Sequence, residues 1–401
     1  MAAPHRRSGL IRLLLFITCL ASLPCQVWSQ TNLPAPVFLQ ELRAQALPDE
    51  ADTQPGQPSL HFGHSIAVFG DTALVGMPLF ENVGRVAVFR RDASGFWLRQ
   101  GSIESPDGVS GGNFGLSVTI HRHFAFVGFG GEVPETHIFR RTNDRFELVR
   151  STSLSFIVDQ RTGLLFSGSR AADGSVVMTV FRLDKRGRLH RVDSFVISAE
   201  MTGSAAVWGD TFVTVKPSDN GTQGAAYVFE RRQGVWQFTQ QLIAADGNAD
   251  DSFGASLAIH GDTIVIGAPR ADETVDPVCE FGRSGAVYAF ERRRHLWSEQ
   301  QKIRSSLERC FTNFGRRIAF NGELLLVMNA ESNTFADDAA WHVFERQFGQ
   351  YQPIAFRFVS TFNRPVEGGI ALQGETFFYG VESADQDDRG SVTLWDLRPD
   401  Q

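Results

Sequence analysis

A Phe-Gly pair, followed eight residues later by a Gly-Asp or Gly-Glu turn, recurs along this chain of 401 residues as Phe62 to Gly70, Phe253 to Gly261 and Phe314 to Gly322. Copies of one marker or the other also stand at Phe114-Gly115, Gly209-Asp210-Thr211 and Gly374-Glu375-Thr376. Unrelated segments do not hold a common register, so the stretch "DDSFGASLAIHGDTIVIGAP" (Asp250 to Pro269) is one copy of a building unit. A second half follows in the copies, as "GRVAVFRR" (Gly84 to Arg91), "GAAYVFERR" (Gly224 to Arg232) and "GAVYAFERR" (Gly285 to Arg293). An aromatic residue and a last alternating run complete the unit in "GFWLRQGSI", "GVWQFTQQLI" and "HLWSEQQKI". Period-two alternation broken by Gly and Asp predicts strands and tight turns, not helices.

Unit starts near residues 62, 114, 154, 201, 253, 314 and 366 give about seven units of four strands each, at the spacing of propeller blades. The fold expected is all-β: a seven-bladed β-propeller of four-stranded antiparallel blades. The last unit stops after its third strand, "GSVTLWDL" (Gly390 to Leu397), while "VFLQELRAQ" (Val37 to Gln45) reads as a fourth strand with no earlier three. The N-terminal strand is therefore expected to complete the last blade, which leaves no open sheet edge. Residues 30–401 are read as this single domain.

Residues 1–29 read as a signal peptide, with Arg6, Arg7 and Arg12 ahead of the apolar "LIRLLLFITCLASL" and a cleavage expected after Ser29. That apolar run is too short for a stable membrane span. Export to a periplasm, cell surface or extracellular space follows, with no membrane insertion. Removing the three arginines takes the formal net charge from -7 to about -10, which argues against nucleic acid as a partner. Of four cysteines, Cys19 and Cys25 leave with the signal, and Cys279 and Cys310 remain in a compartment that permits disulfides.

Phe253-Gly254 with Gly267-Ala268-Pro269, echoed by Gly76-Met77-Pro78, resembles the FG-GAP repeat of the integrin α-subunit-like β-propeller, most closely in its exported bacterial type. Members of that family often carry an Asp-x-Asp-x-Asp-Gly calcium loop between strands one and two. Here that loop shrinks to "FGDT", "WGDT", "HGDT", "NGEL" and "QGET" with one acid each, and a hard cation needs about six to eight oxygens. No metal and no cofactor is expected. The acidic segments "DGNADD" (Asp246 to Asp251), "RADETVD" (Arg270 to Asp276) and "ADQDDRG" (Ala384 to Gly390) are read as solvated loops.

No nucleophile elbow, zinc-protease helix, phosphate-binding loop or Cys-x-x-Cys occurs, so no catalytic residue is assigned. His121, His123 and His260 are read as exposed turn residues. The pairs Arg90-Arg91, Arg140-Arg141, Arg231-Arg232 and Arg292-Arg293 are read as one recurring position with a structural task. Because strands alternate in direction, the connections after strands two and four share one face, so Cys279 and Cys310 are expected to pair. The connection from Arg270 to Gly285 is longer than its counterparts, which makes Arg270, Asp272, Glu273 and Asp276 the ligand-face candidates. The function expected is a monomeric, non-catalytic binding module for a protein or glycan, as in cell adhesion. A hydrolase or lyase at the central channel, or a purely structural envelope component, are the alternatives.

Overall fold

A computed structural model describes residues 37–43, 61–130, 135–143, 145–198, 201, 203–216, 223–271, 284–305, 313–329, 338–360, 368–381 and 390–397. They form seven four-stranded antiparallel sheets arranged as the blades of a propeller. The first strands are Ile66–Phe69, Ser117–His121, Ile157–Val158, Ala205–Trp208, Ser256–His260, Arg317–Phe320 and Ile370–Gln373. Blade five is representative: strand one is followed by Thr263–Ala268, Ala286–Arg293 and Leu296–Ile303. In the seventh sheet, Val37–Arg43 lies antiparallel to Ser391–Asp396, with Leu42 opposite Val392.

The strand-two and strand-three residues of blade five are buried with almost no exception, because both faces of a wedge-shaped sheet are covered by neighbouring blades. The marker phenylalanines Phe62, Phe114, Phe253 and Phe314 are fully buried. Each meets the strand-three phenylalanine of its own blade edge to face: Phe62 with Phe89, Phe114 with Phe139, Phe253 with Phe290 and Phe314 with Phe344, at 6.0 to 6.2 Å between ring centroids. Buried aromatics of this size dominate core energetics, and the T-shaped pairing adds about 1 kcal/mol per pair. The first six blades also share a register shift in strand four beside that phenylalanine, as at Val88/Phe89 and Ala289/Phe290. A bulge repeated at one place is part of the unit's design.

The Phe-Gly and Gly-Ala-Pro halves form a joint between blades. Gly63, Gly115, Gly254 and Gly315 all have φ between 90° and 98°, where a side chain is strained. This backbone turns the Gly115 carbonyl against Gly76, the Gly315 carbonyl against Gly267 and the Gly63 carbonyl against Gly380, each in strand two of the preceding blade. A Cβ at Gly76, Gly267 or Gly380 would fall closer to that carbonyl than side chains ever come. Ser65 and Ser256 strengthen two of the joints by donating to Gly115 O at 2.8 Å and Gly315 O at 2.6 Å.

Candidate binding face

The two ends of the propeller differ in construction. At one end, strands one and two are joined by tight turns, with Gly70, Gly209, Gly261 and Gly374 at φ of 55° to 63°. The turn residues meet across all seven junctions. Phe69 packs on His121 at 5.3 Å, His121 shares a hydrogen bond with Gln160, and the buried Asp159 accepts from the Gly209 amide at 3.2 Å. Trp208 packs on His260 at 4.0 Å and His260 on Phe320 at 6.3 Å, while the Asn321 and Gln373 amides donate to Gly374 O and Gly70 O, each at 2.9 Å. Of the three histidines expected to be exposed turn residues, His123 is exposed, but His121 is buried and His260 half-buried, because inner turns crowd at the narrow end of each wedge. Burial pushes both imidazoles below their ordinary pKa.

The arginine pairs do not occupy one position. Arg90-Arg91 and Arg140-Arg141 follow their phenylalanine directly, whereas Glu230 and Glu291 intervene before Arg231-Arg232 and Arg292-Arg293. What recurs is the arginine two places after the phenylalanine, whose amide donates to the strand-one turn at Asp71, His123, Asp210, Asp262 or Glu323. In four blades this guanidinium reaches an acid of the preceding blade: Arg141 to Asp71 at 3.2 Å, Arg231 to Asp193 at 3.0 Å, Arg292 to Glu230 at 3.2 Å, and Arg346 to Glu291. Glu230 is buried and also takes Arg232 at 2.6 Å and the Trp297 indole at 3.2 Å. Burial pulls its carboxyl up, but Arg232, Trp297 and Arg292 outweigh burial and hold it below the usual range. Grooves of about 850 and 640 Å³ run over the junctions on either side of blade five, and the charges that line them are mostly paired with one another. These grooves are joints between blades.

At the other end lie the connections after strands two and four. Strand two of blade five ends at Ala268 and strand three begins at Ala286, whereas the same connection in blade two spans only Phe129 to Glu135. The base of the blade-five connection is fixed. The Arg270 amide donates to Asp251 O at 3.1 Å, Ala271 is buried, and the Gly285 amide donates to Ala271 O at 3.0 Å, so both strands of the connection leave through one closed neck. Gly285 also bridges Phe314, and the Phe314 amide donates to Ser284 O at 3.1 Å.

Arg270 stands exposed at this neck. Asp272, Glu273, Asp276, Cys279 and Cys310 lie outside the described residues, as does the signal segment. The adjoining acids "DGNADD" are not solvated throughout. Asp251 is buried, and Asp246 accepts from the Tyr288 hydroxyl at 2.9 Å and the Lys302 ammonium at 2.7 Å. Burial raises the Asp246 carboxyl, yet Lys302 and Tyr288 together hold it below its ordinary pKa. Burial, and then Asp246, push the Tyr288 phenol well up. No local spacing marks Tyr288 and Lys302 in the sequence, since their convergence on Asp246 depends on the blade-to-blade connector.

The FG-GAP repeat profile matches residues 236–290, which run from strand four of blade four through strand three of blade five. The chain carries the FG-GAP repeat. FG-GAP propellers are typical of binding and interaction modules, and the repeats typical of extracellular or exported proteins. No curated protein matches the sequence. Among solved structures, a chain of the mitotic checkpoint complex is 13% identical with a TM-score of 0.51, over 92% of this chain and 98% of its own. A candidate 6-phosphogluconolactonase from Bacteroides uniformis ATCC 8492 is 12% identical with a TM-score of 0.48, over 79% of this chain and 90% of its own. At 13% identity the likeness to the checkpoint-complex chain speaks for the fold alone. No helix among the described residues of the FG-GAP chain is long and apolar enough to cross a membrane.

Proposed function

We propose that this FG-GAP propeller is an exported, non-catalytic binding module that recognises a protein or glycan through the face built by the connections after strands two and four. The observation that carries the reading is the asymmetry between the ends. One end has short turns and ion pairs directed at neighbouring blades, while the other presents long connections from a fixed base, where rigid scaffolds place recognition. Arg270, Asp272, Glu273 and Asp276 are the contact candidates, and the neck at Ala271 and Gly285 limits the ordering cost of binding. Cys279 and Cys310 form a disulfide in this reading, supported by the Gly285–Phe314 bridge that brings together the ends of their two segments. Alkylation of the unreduced mature protein should then label neither cysteine.

The test compares the mature chain with a variant in which residues 272–283 are replaced by a Gly-Ser linker, by cross-linking capture from native extracts and then by affinity for each captured partner. Arg270→Ala and Asp276→Ala should each weaken a partner by about tenfold or more, the size of a rim-to-core contact. Unchanged affinity in the linker variant and both point variants refutes the assignment of this face.

A further inference from the structure

On the same face, at the junction of blades one and two, a set of side chains remains that no packing role accounts for. His137, in strand three of blade two (Glu135–Thr142), is fully buried. Its Nδ1 pairs with the Ser151 hydroxyl at 2.8 Å across the strand-three to strand-four ladder. Phe114 and Phe129 pack around the ring at 5.7 and 6.2 Å. Its Nε2 has no hydrogen-bond partner among the described residues. That atom is aimed at two carboxylates, Asp107 Oδ2 at 3.8 Å and Glu135 Oε2 at 4.0 Å, both too far to accept a hydrogen bond from it. Asp107 belongs to the connector after strand four of blade one, so the cluster joins two blades.

A buried ring nitrogen facing two carboxylates is costly in either tautomer: Nε2–H reaches no acceptor among the described residues, and an Nε2 lone pair faces like-signed oxygens. A divalent cation between the three groups removes both difficulties. We propose that Asp107, Glu135 and His137 form a zinc site. The donor set decides the metal class. Calcium and magnesium take oxygens, whereas one imidazole with two carboxylates suits a borderline cation, and the two carboxylates neutralise its charge. Tetrahedral zinc holds its donors about 3.3 Å apart, whereas these three ligand atoms lie within 4.8 Å of one another, so the exposed Asp107 and half-exposed Glu135 side chains need to close in by about an ångström. Ser151 plays the outer partner, accepting Nδ1–H and so fixing the tautomer that leaves Nε2 free to ligate. Burial already favours the neutral ring, against the pull of Asp107 and Glu135. The fourth position opens to solvent on the side of the exposed carboxylates, where a water or a donor atom of a bound partner fits.

Calorimetric titration of metal-stripped mature protein with zinc chloride tests the site, alongside Asp107→Asn/Glu135→Gln, Ser151→Ala and a distant exposed control, Asp92→Asn. One zinc per chain is expected, lost in the double variant, weakened about tenfold or more by Ser151→Ala and unchanged in the control. The melting temperatures of the metal-free double variant and metal-free wild type should coincide, which separates ligand loss from misfolding, because both carboxylates are at the surface. Undiminished zinc binding in the double variant, absence of a one-to-one event in the wild type, or calcium bound as tightly as zinc overturns the proposal.

Discussion

Replacing Gly267 by alanine tests the reading of the Phe-Gly and Gly-Ala-Pro halves as one joint. The new Cβ meets the Gly315 carbonyl and the Ser256 hydroxyl well inside any ordinary contact, and the carbonyl belongs to a backbone fixed by its own φ of 93°. Overpacking a filled site costs about 1–3 kcal/mol. Displacing Ser256 from Gly315 O removes a buried hydrogen bond, for about 1 kcal/mol more. A loss of about 3 kcal/mol follows, which for a chain of this size lowers the melting temperature by roughly 3–5 °C. Urea unfolding followed by circular dichroism gives the free energy directly. Gly261→Asn is the reference, because Gly261 has φ of 60° and open space around it, and asparagine adopts that backbone, so its stability should stay within about 0.5 kcal/mol of wild type. Adding Ser256→Ala to Gly267→Ala should recover little, since the carbonyl clash persists. A Gly267→Ala protein as stable as Gly261→Asn refutes the joint.

Three further outcomes are expected. Arg292→Ala leaves the buried Glu230 with fewer partners and frees Asp262, and should lower the unfolding free energy by about 2 kcal/mol in urea at neutral pH. Asp71 is held down to about 2, with Arg90 as the main cause. Its folded value lies below its unfolded one, so its contribution is complete above pH about 4 and is lost as the pH falls toward 2; Asp71→Asn should flatten the acid limb of stability across that window. His342 is buried against Phe314 and Phe344 and its pKa is pushed by burial down to about 3. Here the unfolded chain takes up the proton first, so stability falls as the pH drops from about 6.5 toward 3, and His342→Phe should abolish that part of the slope in unfolding curves.

The blade pattern was legible because each strand carries its own alternation and each turn its own Gly-Asp, both local signals. Both halves of the joint, Phe253-Gly254 and Gly267-Ala268-Pro269, stand in the sequence, although only the structure shows that they contact different neighbouring blades. The arginine register was misread because strand pairing decides it: Glu230 and Arg90 occupy the same place opposite a strand-two threonine, and adjacency in sequence hides this. Gly380 was missed because no Ala-Pro follows it, yet it receives the Gly63 carbonyl. The Asp107–Glu135–His137 cluster had no sequence spacing to betray it, since one ligand comes from another blade. A histidine between Thr136 and Ile138, in the half of strand three that also holds Phe139, was the available hint.

The joint at Gly267 and Gly315 means that an FG-GAP unit cut out at its own boundaries is chemically incomplete. The matched stretch 236–290 holds Phe253-Gly254, which abuts Val215, and Gly267, which awaits Gly315; both partners lie outside it. A unit excised alone thus presents two unmatched surfaces, a socket and a plug, and copies of it should associate head to tail before they fold as monomers. Duplication of such a unit supplies its own mating partner, so growth of the ring by whole repeats is self-compatible.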